Sequence, residues 1–242
     1  MFDTKIPLYS IMILLSLIVN VIIVLLIYKK TKFTKDEVIG ALVYENIGII
    51  VGAKLFSYIH NYQQYGEFDF LSLGLSAYGG VIGAIICLAI FGLQFKKPAK
   101  EMLLIFAPSI PLIYAIGKIG CFFAGCCHGK EYTGWGSIVY KYAENGSEYT
   151  QLFPVQLIET ILFTIIFIYI INKIMKNKFN LKVVGITCIL CGGGKFILDY
   201  FRMSHVGGLS LNQIVSIFFI IIGIILIIKA RHDYNITNRS GK

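Results

Sequence analysis

The chain is short of charge. Only 14% of its 242 residues are Asp, Glu, Lys or Arg, against about 25% in an ordinary soluble domain, while apolar residues reach 57%. That excludes a disordered chain, a collagen-like fibre and a typical soluble enzyme. Acidic residues are the scarcest charged type: 13 Asp and Glu stand against 22 Lys and Arg, a net charge of +9. In a soluble protein that surplus would suggest nucleic acid. In a lipid-embedded chain it labels cytoplasmic loops, so no nucleic-acid partner is expected. Six cysteines do not make a disulfide scaffold. No small-residue cleavage site follows the first apolar run, which is also too long for a secretory signal. There is no internal repeat of the kind transporters carry. The last apolar run holds no lysine, which excludes a retinal Schiff base.

What the chain does have is apolar runs. A bilayer core of ~30 Å needs about 20 residues of helix, and seven segments qualify: roughly 8–28, 38–59, 74–93, 102–123, 152–171, 183–201 and 209–228. The expected fold is all-α, a polytopic membrane protein of seven transmembrane helices in one domain over residues 1–242. Basic residues fix the expected sidedness. The segments after the first, third and fifth runs and the tail carry fifteen Lys and Arg; the other side holds only Lys5, Lys130, Lys141 and Arg202. The positive-inside rule then puts the N-terminus outside and the C-terminus in the cytoplasm. The longest loop, 124–151, lies outside and reads as a small extracytoplasmic cap.

Six ionisable residues fall within the runs: Glu45, Lys54, Lys118, Glu159, Lys195 and Asp199. Each would cost at least ~2.5 kcal/mol facing lipid at the centre of a helix. They must face one another, a polar cavity or the interface. Three structural ion pairs would satisfy them. So would one polar cavity in the outer half of the membrane, with Lys195, Asp199 and Arg202 on a single helical face at i, i+4, i+7. Three cations and two anions there suit an anionic lipid head group, which Arg binds bidentately and Lys as a point charge.

His60, His128 and His205 also map to the outside. His128 stands apart because it follows Cys126 and Cys127, with Cys121 five residues before Cys126. A zinc ion, a disulfide and plain packing are all readings of these three cysteines. Adjacent Cys126 and Cys127 make poor geometry for one metal, and no metal or cofactor is expected. Cys87 and the Cys188–Cys191 pair lie in apolar runs and read as core packing.

Four blocks now resemble one family. Ser76-Ala77-Tyr78-Gly79-Gly80-Val81-Ile82-Gly83 is similar to S-x-H-G-G-L-x-G. Gly117-Lys118-Ile119-Gly120-Cys121-Phe122, with Gly129 beyond it, is similar to G-R-x-G-N-F-x-N-x-E-x-x-G. Phe153-Pro154-Val155-Gln156-Leu157-Ile158-Glu159 is similar to H-P-T-Q-L-Y-E. Lys195-Phe196, Asp199 and Arg202 are similar to R-F-x-x-E-x-x-R, and Leu209-Ser210-Leu211-Asn212-Gln213 to L-S-x-x-Q. In this order, over nearly the whole chain, they resemble the bacterial prolipoprotein diacylglyceryl transferases. The departures are Tyr78 for a histidine, Lys118 for an arginine, Cys121 and Cys126 for an asparagine and a glutamate, and Phe153 for a histidine.

The resemblance implies transfer of a diacylglyceryl group from phosphatidylglycerol, or another anionic phospholipid, to the cysteine thiol of a preprolipoprotein lipobox peptide. Arg202 and Lys118 would hold the phosphate, with Lys195 as a further cation. Gln156 and Glu159 would orient the head group, and Tyr78 or His128 would accept the thiol proton. Asp199 and Gln213 would line the substrate site, and Gly79 and Gly80 would let backbone approach the lipid. A related membrane transferase with a different acceptor, or a non-enzymatic lipid carrier, would share the composition. Asp199 is also read as a structural partner of Lys195, one turn away.

Overall fold

The computed structural model describes residues 8–60, 62, 69–70, 73–140, 150–176, 179–203 and 207–240. Lys5, Lys141, Glu144, Glu148, Lys178, His205 and Lys242 lie outside them. In chain order the α-helices are α1 (Leu8–Ile27), α2 (Lys35–His60), α3 (Ala77–Gln94), α4 (Ala99–Phe106), α5 (Ile110–Ala124), α6 (Val155–Met175), α7 (Leu181–Asp199) and α8 (Leu211–Ser240). Strands β1 (Ile138–Tyr140) and β2 (Thr150–Leu152) lie between α5 and α6. A 3₁₀ turn through Pro108 joins α4 to α5, so the two form one span. Among the described residues seven helical segments are long and apolar enough to cross a membrane. The chain is an all-α, multi-pass membrane protein.

The spans match the expected runs with three instructive shifts. The fifth span starts at Val155, not near 152, because Thr150–Leu152 pairs antiparallel with Ile138–Tyr140. Pro154, which has no N–H to contribute, closes the strand segment and leads into the helix. The sixth span stops at Asp199, so Tyr200 to Arg202 leave the helical path. The seventh starts at Leu211, after a capping box: the Ser210 hydroxyl accepts from the Gln213 N–H at 3.1 Å, and Gln213 Oε1 accepts from the Ser210 N–H at 3.0 Å.

The chain divides into two compact units, Val21–Ile110 and a split unit of Met1–Asn20 with Pro111–Lys242. In the first, α2 and α3 meet through facing glycines. A Cβ on Gly48 would stand 2.4 Å from the Gly83 carbonyl oxygen, and one on Gly52 2.4 Å from that of Gly79. Small residues four apart on both helices let the backbones touch, which is how membrane helices gain packing without a hydrophobic drive. An apolar cluster of Val24, Phe33, Val38, Leu42, Phe91 and Met102 completes this unit's core. Lys54, expected among the membrane-embedded charges, donates to the Phe70 carbonyl at 2.5 Å.

In the split unit, α7 and α8 meet in the same way. A Cβ on Gly185 would lie 2.6 Å from the Gly223 carbonyl oxygen, and the reverse distance is also 2.6 Å. Cys188 packs against Gly223 here, as Cys87 packs against Gly48 in the other unit, so both have the expected packing role.

Candidate functional site

Glu159 is the hub of the split unit. It lies one turn into α6 and is wholly buried. Lys118 of α5 reaches its Oε2 at 3.0 Å, and Lys195 of α7 reaches Oε1 at 2.7 Å. Arg202 Nη2 donates to Oε2 at 3.1 Å and to Oε1 at 3.3 Å. The Tyr114 hydroxyl donates to Oε1 at 2.7 Å. Three cations therefore share one carboxylate, where the simplest sequence reading has separate ion pairs. All three are at most 9% exposed. Desolvating a single ion costs several kcal/mol, so the cluster depends on its internal pairing. With Asp199 also beside Arg202, the three cations and two carboxylates leave one positive charge in excess.

Arg202 arrives by a route that helical periodicity does not describe. It is not on the α7 face with Lys195. After the helix ends, Arg202 forms an isolated antiparallel bridge with Gly129. The Lys130 N–H donates to the Phe201 carbonyl at 2.9 Å, and the Gly129 N–H to the Phe153 carbonyl at 3.1 Å. A Cβ on Gly129 would fall 2.5 Å from the Phe153 oxygen and 2.9 Å from the Phe201 oxygen. Gly129 is thus the point where three segments converge, and only glycine leaves them room. Burial opposes the Arg202 charge, but the Glu159 carboxylate outweighs it and holds the guanidinium above the ordinary arginine range.

Asp199 does something other than the expected pairing with Lys195. It accepts from the Ser210 hydroxyl and, at 3.1 Å, from Asn212 Nδ2, and its Oδ1 lies 3.9 Å from Arg202 Nε. It ties the end of α7 to the start of α8, while Lys195 goes to Glu159. Gln213, expected to line a substrate site, is fully buried in the capping box and donates to the Phe196 carbonyl at 3.4 Å. Its carboxamide is spent on the helix start. Gly79 and Gly80 lie against α2. A Cβ on Gly79 would meet Phe56 Cβ at 2.3 Å, and one on Gly80 would meet Ile49 at 3.4 Å, so both positions face α2. Tyr78 is half-buried at the start of α3, in the Val21–Ile110 unit.

Four buried polar atoms in the split unit have no hydrogen-bond partner among the described residues: Arg202 Nε, Gln156 Oε1, His128 Nδ1 and Tyr140 Oη. The other end of Gln156, Nε2, donates to the Cys126 carbonyl at 2.9 Å. The His128 ring lies 5.3 Å from that of Tyr140. An unsatisfied buried polar group costs about 1–3 kcal/mol, and four in one unit mark a place that a polar ligand can complete. Tyr114 is the site residue that the sequence reading omits. Its position four residues before Lys118 on α5 is the signal that could have found it.

Cys121, Cys126 and Cys127 have their sulfurs within 4.8 Å of one another. The adjacency of Cys126 and Cys127 argues against a shared centre in the sequence. The backbone removes that objection: Gly125 and Cys127 both take left-handed conformations, φ +65° and +58°. Hydrogen bonds from Cys121 and Cys126, helped by Lys118, hold the Cys127 thiol well below its usual range. Cys126, hydrogen-bonded to Cys121 and Cys127, is pushed up. All six cysteines are free thiols.

A family model for prolipoprotein diacylglyceryl transferase matches residues 1–229. The chain belongs to that family. It is 27% identical to phosphatidylglycerol–prolipoprotein diacylglyceryl transferase 2 of Clostridium perfringens, covering 100% of this chain and 94% of the relative. It is 28% identical to the corresponding transferase of Clostridium tetani, covering 93% of each. With the transferase of Campylobacter hominis it shares 29% identity over 94% of this chain and 88% of the relative. Family membership thus extends over both units, including the Glu159 cluster and the glycine-packed helices.

Proposed function

We propose that the chain transfers a diacylglyceryl group from phosphatidylglycerol to the lipobox cysteine of a preprolipoprotein, acting as one integral membrane transferase domain over residues 1–242. The observation that carries this reading is the buried excess of positive charge around Glu159 and Asp199, beside an Arg202 Nε that no hydrogen bond among the described residues satisfies. An anionic phosphate is the group such a site favours, and the relatives' names specify phosphatidylglycerol as the donor and a prolipoprotein as the acceptor.

Arg202 and Lys118 bind the phosphate, and Lys195 adds its charge from behind Glu159. These cations offset the negative charge that builds on the phosphate oxygens as the C–O bond to the diacylglyceryl group breaks and glycerol phosphate leaves. Gln156 offers Oε1 to a head-group hydroxyl. His128 accepts the thiol proton through Nδ1. Glu159 keeps the three cations converged. The thiolate attacks the glyceryl carbon and forms the thioether. The fifteen-to-four distribution of basic residues supports an N-out, C-in orientation, with the ribbon between α5 and α6 on the outer side. Membrane-impermeant labelling from outside reaches a cysteine introduced at Trp135 and not one at Lys176 if this orientation is right.

The decisive assay is purified chain, phosphatidylglycerol vesicles and a lipobox peptide, read by mass spectrometry of the peptide. The expected product is peptide plus one diacylglyceryl group on its cysteine. Arg202→Ala lowers the rate ~10–100-fold, the loss expected for a charged hydrogen bond worth about 1.5–3 kcal/mol. No adduct with the parent chain, or an unchanged rate in Arg202→Ala, refutes the reading.

A further inference from the structure

The proposed reaction needs a thiolate, since a thiol is a poor nucleophile. The chain carries a group suited to making one. Cys121 closes the last turns of α5, and Cys126 and Cys127 follow in the loop. Cys127 holds φ +58°, a backbone region that non-glycine residues rarely occupy. That turn helps bring the sulfurs of two adjacent cysteines near that of Cys121, all within 4.8 Å. Three sulfurs on one zinc ion, each at ~2.3 Å, stand roughly 3.8 Å apart in a tetrahedron. Small side-chain rotations close the difference. Cys121 and Cys126 are half-buried and Cys127 is exposed, so the cluster opens to one side. Lys118 and Arg202 both interact electrostatically with Cys127, placing two cations where a metal–thiolate centre carries net negative charge.

We propose that Cys121, Cys126 and Cys127 form a three-thiolate site for a zinc-class divalent ion, whose fourth position receives the acceptor thiol. Three protein ligands and one open position are the arrangement of catalytic rather than structural zinc, and thiolate ligands select soft or borderline ions. Binding the ion releases to water the protons that the three cysteines still carry. The acceptor thiol loses its own proton to His128 as it takes the fourth position, because a metal-bound thiol is deprotonated. Its sulfur lone pair then forms the C–S bond, while the electron pair of the breaking C–O bond leaves with glycerol phosphate. No electron is gained or lost overall. The role of the open position rests on the transfer reading above; the existence of the site does not.

The test uses the full chain in detergent, reduced, stripped with chelator and titrated with Co²⁺ as a coloured substitute for Zn²⁺. The expected result is saturation at one Co²⁺ per chain, with thiolate-to-cobalt charge-transfer absorption that Zn²⁺ abolishes. Cys121→Ser, Cys126→Ser and Cys127→Ser each weaken binding by more than ~100-fold, since outer-shell partners alone are worth about 10–100-fold. The Cys188→Ser, Cys191→Ser double variant binds as the parent does. A lipobox peptide shifts the cobalt spectrum and its serine analogue does not. Binding that is not stoichiometric, or that survives in the cluster variants, overturns the site. A parent chain that takes no ion even after an internal disulfide has been reduced overturns it too. Thermal melting of each variant separates loss of the site from loss of the fold. Transfer that persists in chelator-stripped parent and in a folded triple-serine variant overturns the role of the metal and leaves the family reaction standing. A peptide-responsive cobalt site in a chain without transfer refutes the transfer reading and leaves the site.

Discussion

The α2–α3 pair and the α7–α8 pair are built by the same means and used differently. Both bring backbones into contact at facing glycines, Gly48 and Gly52 with Gly79 and Gly83 in one unit, Gly185 with Gly223 in the other. Around the first pair lies an apolar cluster, and the Glu37–Lys97 ion pair of that unit leaves 30% and 26% of its side chains exposed. Beside the second pair, α7 presents Lys195 to a carboxylate with no exposure at all. Close packing of small residues therefore makes the fold twice, while a buried hub of unequal charge is added beside α7. What distinguishes the two regions is not how their helices pack but how much uncompensated charge each keeps out of water.

The largest test of that contrast compares two carboxylates. Removing Glu159 leaves Lys118, Lys195 and Arg202 buried without their shared anion, and breaking a buried pair costs about 3–5 kcal/mol. Glu159→Ala is expected to lose most folded protein on detergent extraction, with no measurable transfer. Glu37→Ala removes an ion pair open to water, worth under about 1 kcal/mol, and its melting temperature stays near that of the parent. Equal losses in the two variants would mean that the exposed pair also bears structural load, and the contrast would fail.

A second test concerns what the two helix pairs share. A Cβ on Gly83 would stand 2.1 Å from the Gly48 oxygen, and one on Gly223 2.6 Å from the Gly185 oxygen. Gly83→Ala and Gly223→Ala are each expected to cost roughly 1–3 kcal/mol, the usual price of overpacking, measured by thermal unfolding in detergent. Gly117→Ala, whose nearest neighbour would be Ile13 Cδ1 at 3.9 Å, should be close to neutral. Only if both tight glycines are costly and Gly117 is not do the pairs share one packing device.

Hydropathy made all seven spans legible, because lipid demands a continuous apolar run and the chain has few ways to hide one. Its errors fall where local hydrogen bonding takes over: the β2 strand before α6, the turn after Asp199 and the Ser210–Gln213 cap. The motif blocks pointed to Lys118, Glu159, Lys195 and Arg202, and the structure gathers all four. Their partnering was not legible. Sequence spacing sees only neighbours on one helix, so it matched Asp199 to Lys195; it could not show that Glu159, on another helix, attracts three cations. Tyr114 escaped notice because a tyrosine in an apolar helix is ordinary until its hydroxyl is seen to reach a carboxylate. Gly79 and Gly80 stood in a block of the expected type, and at Gly79 the nearby bulk that requires glycine is α2.

The smallest expected difference is between two serine caps, one in each unit. Ser76 begins α3 and accepts from the Gly79 N–H at 3.4 Å, a long bond. Ser210 begins α8, accepts from the Gln213 N–H at 3.1 Å, receives Gln213 Oε1 on its own N–H, and donates its hydroxyl to Asp199. Removing a cap costs about 0.5–2 kcal/mol. Ser76→Ala belongs at the low end of that range and Ser210→Ala at the high end, because only Ser210 also satisfies a buried carboxylate. For a chain of this size 1 kcal/mol shifts the melting temperature by roughly 2–4 °C, so the two variants should separate by a few degrees. Ser210→Ala should also slow transfer, since Asp199 then loses a donor 3.9 Å from Arg202 Nε and the guanidinium is free to turn toward it. Ser76→Ala should leave the rate unchanged. Equal melting shifts with equal rates would show that Asp199 is held by its other partners, and that the charge cluster is insulated from the start of α8.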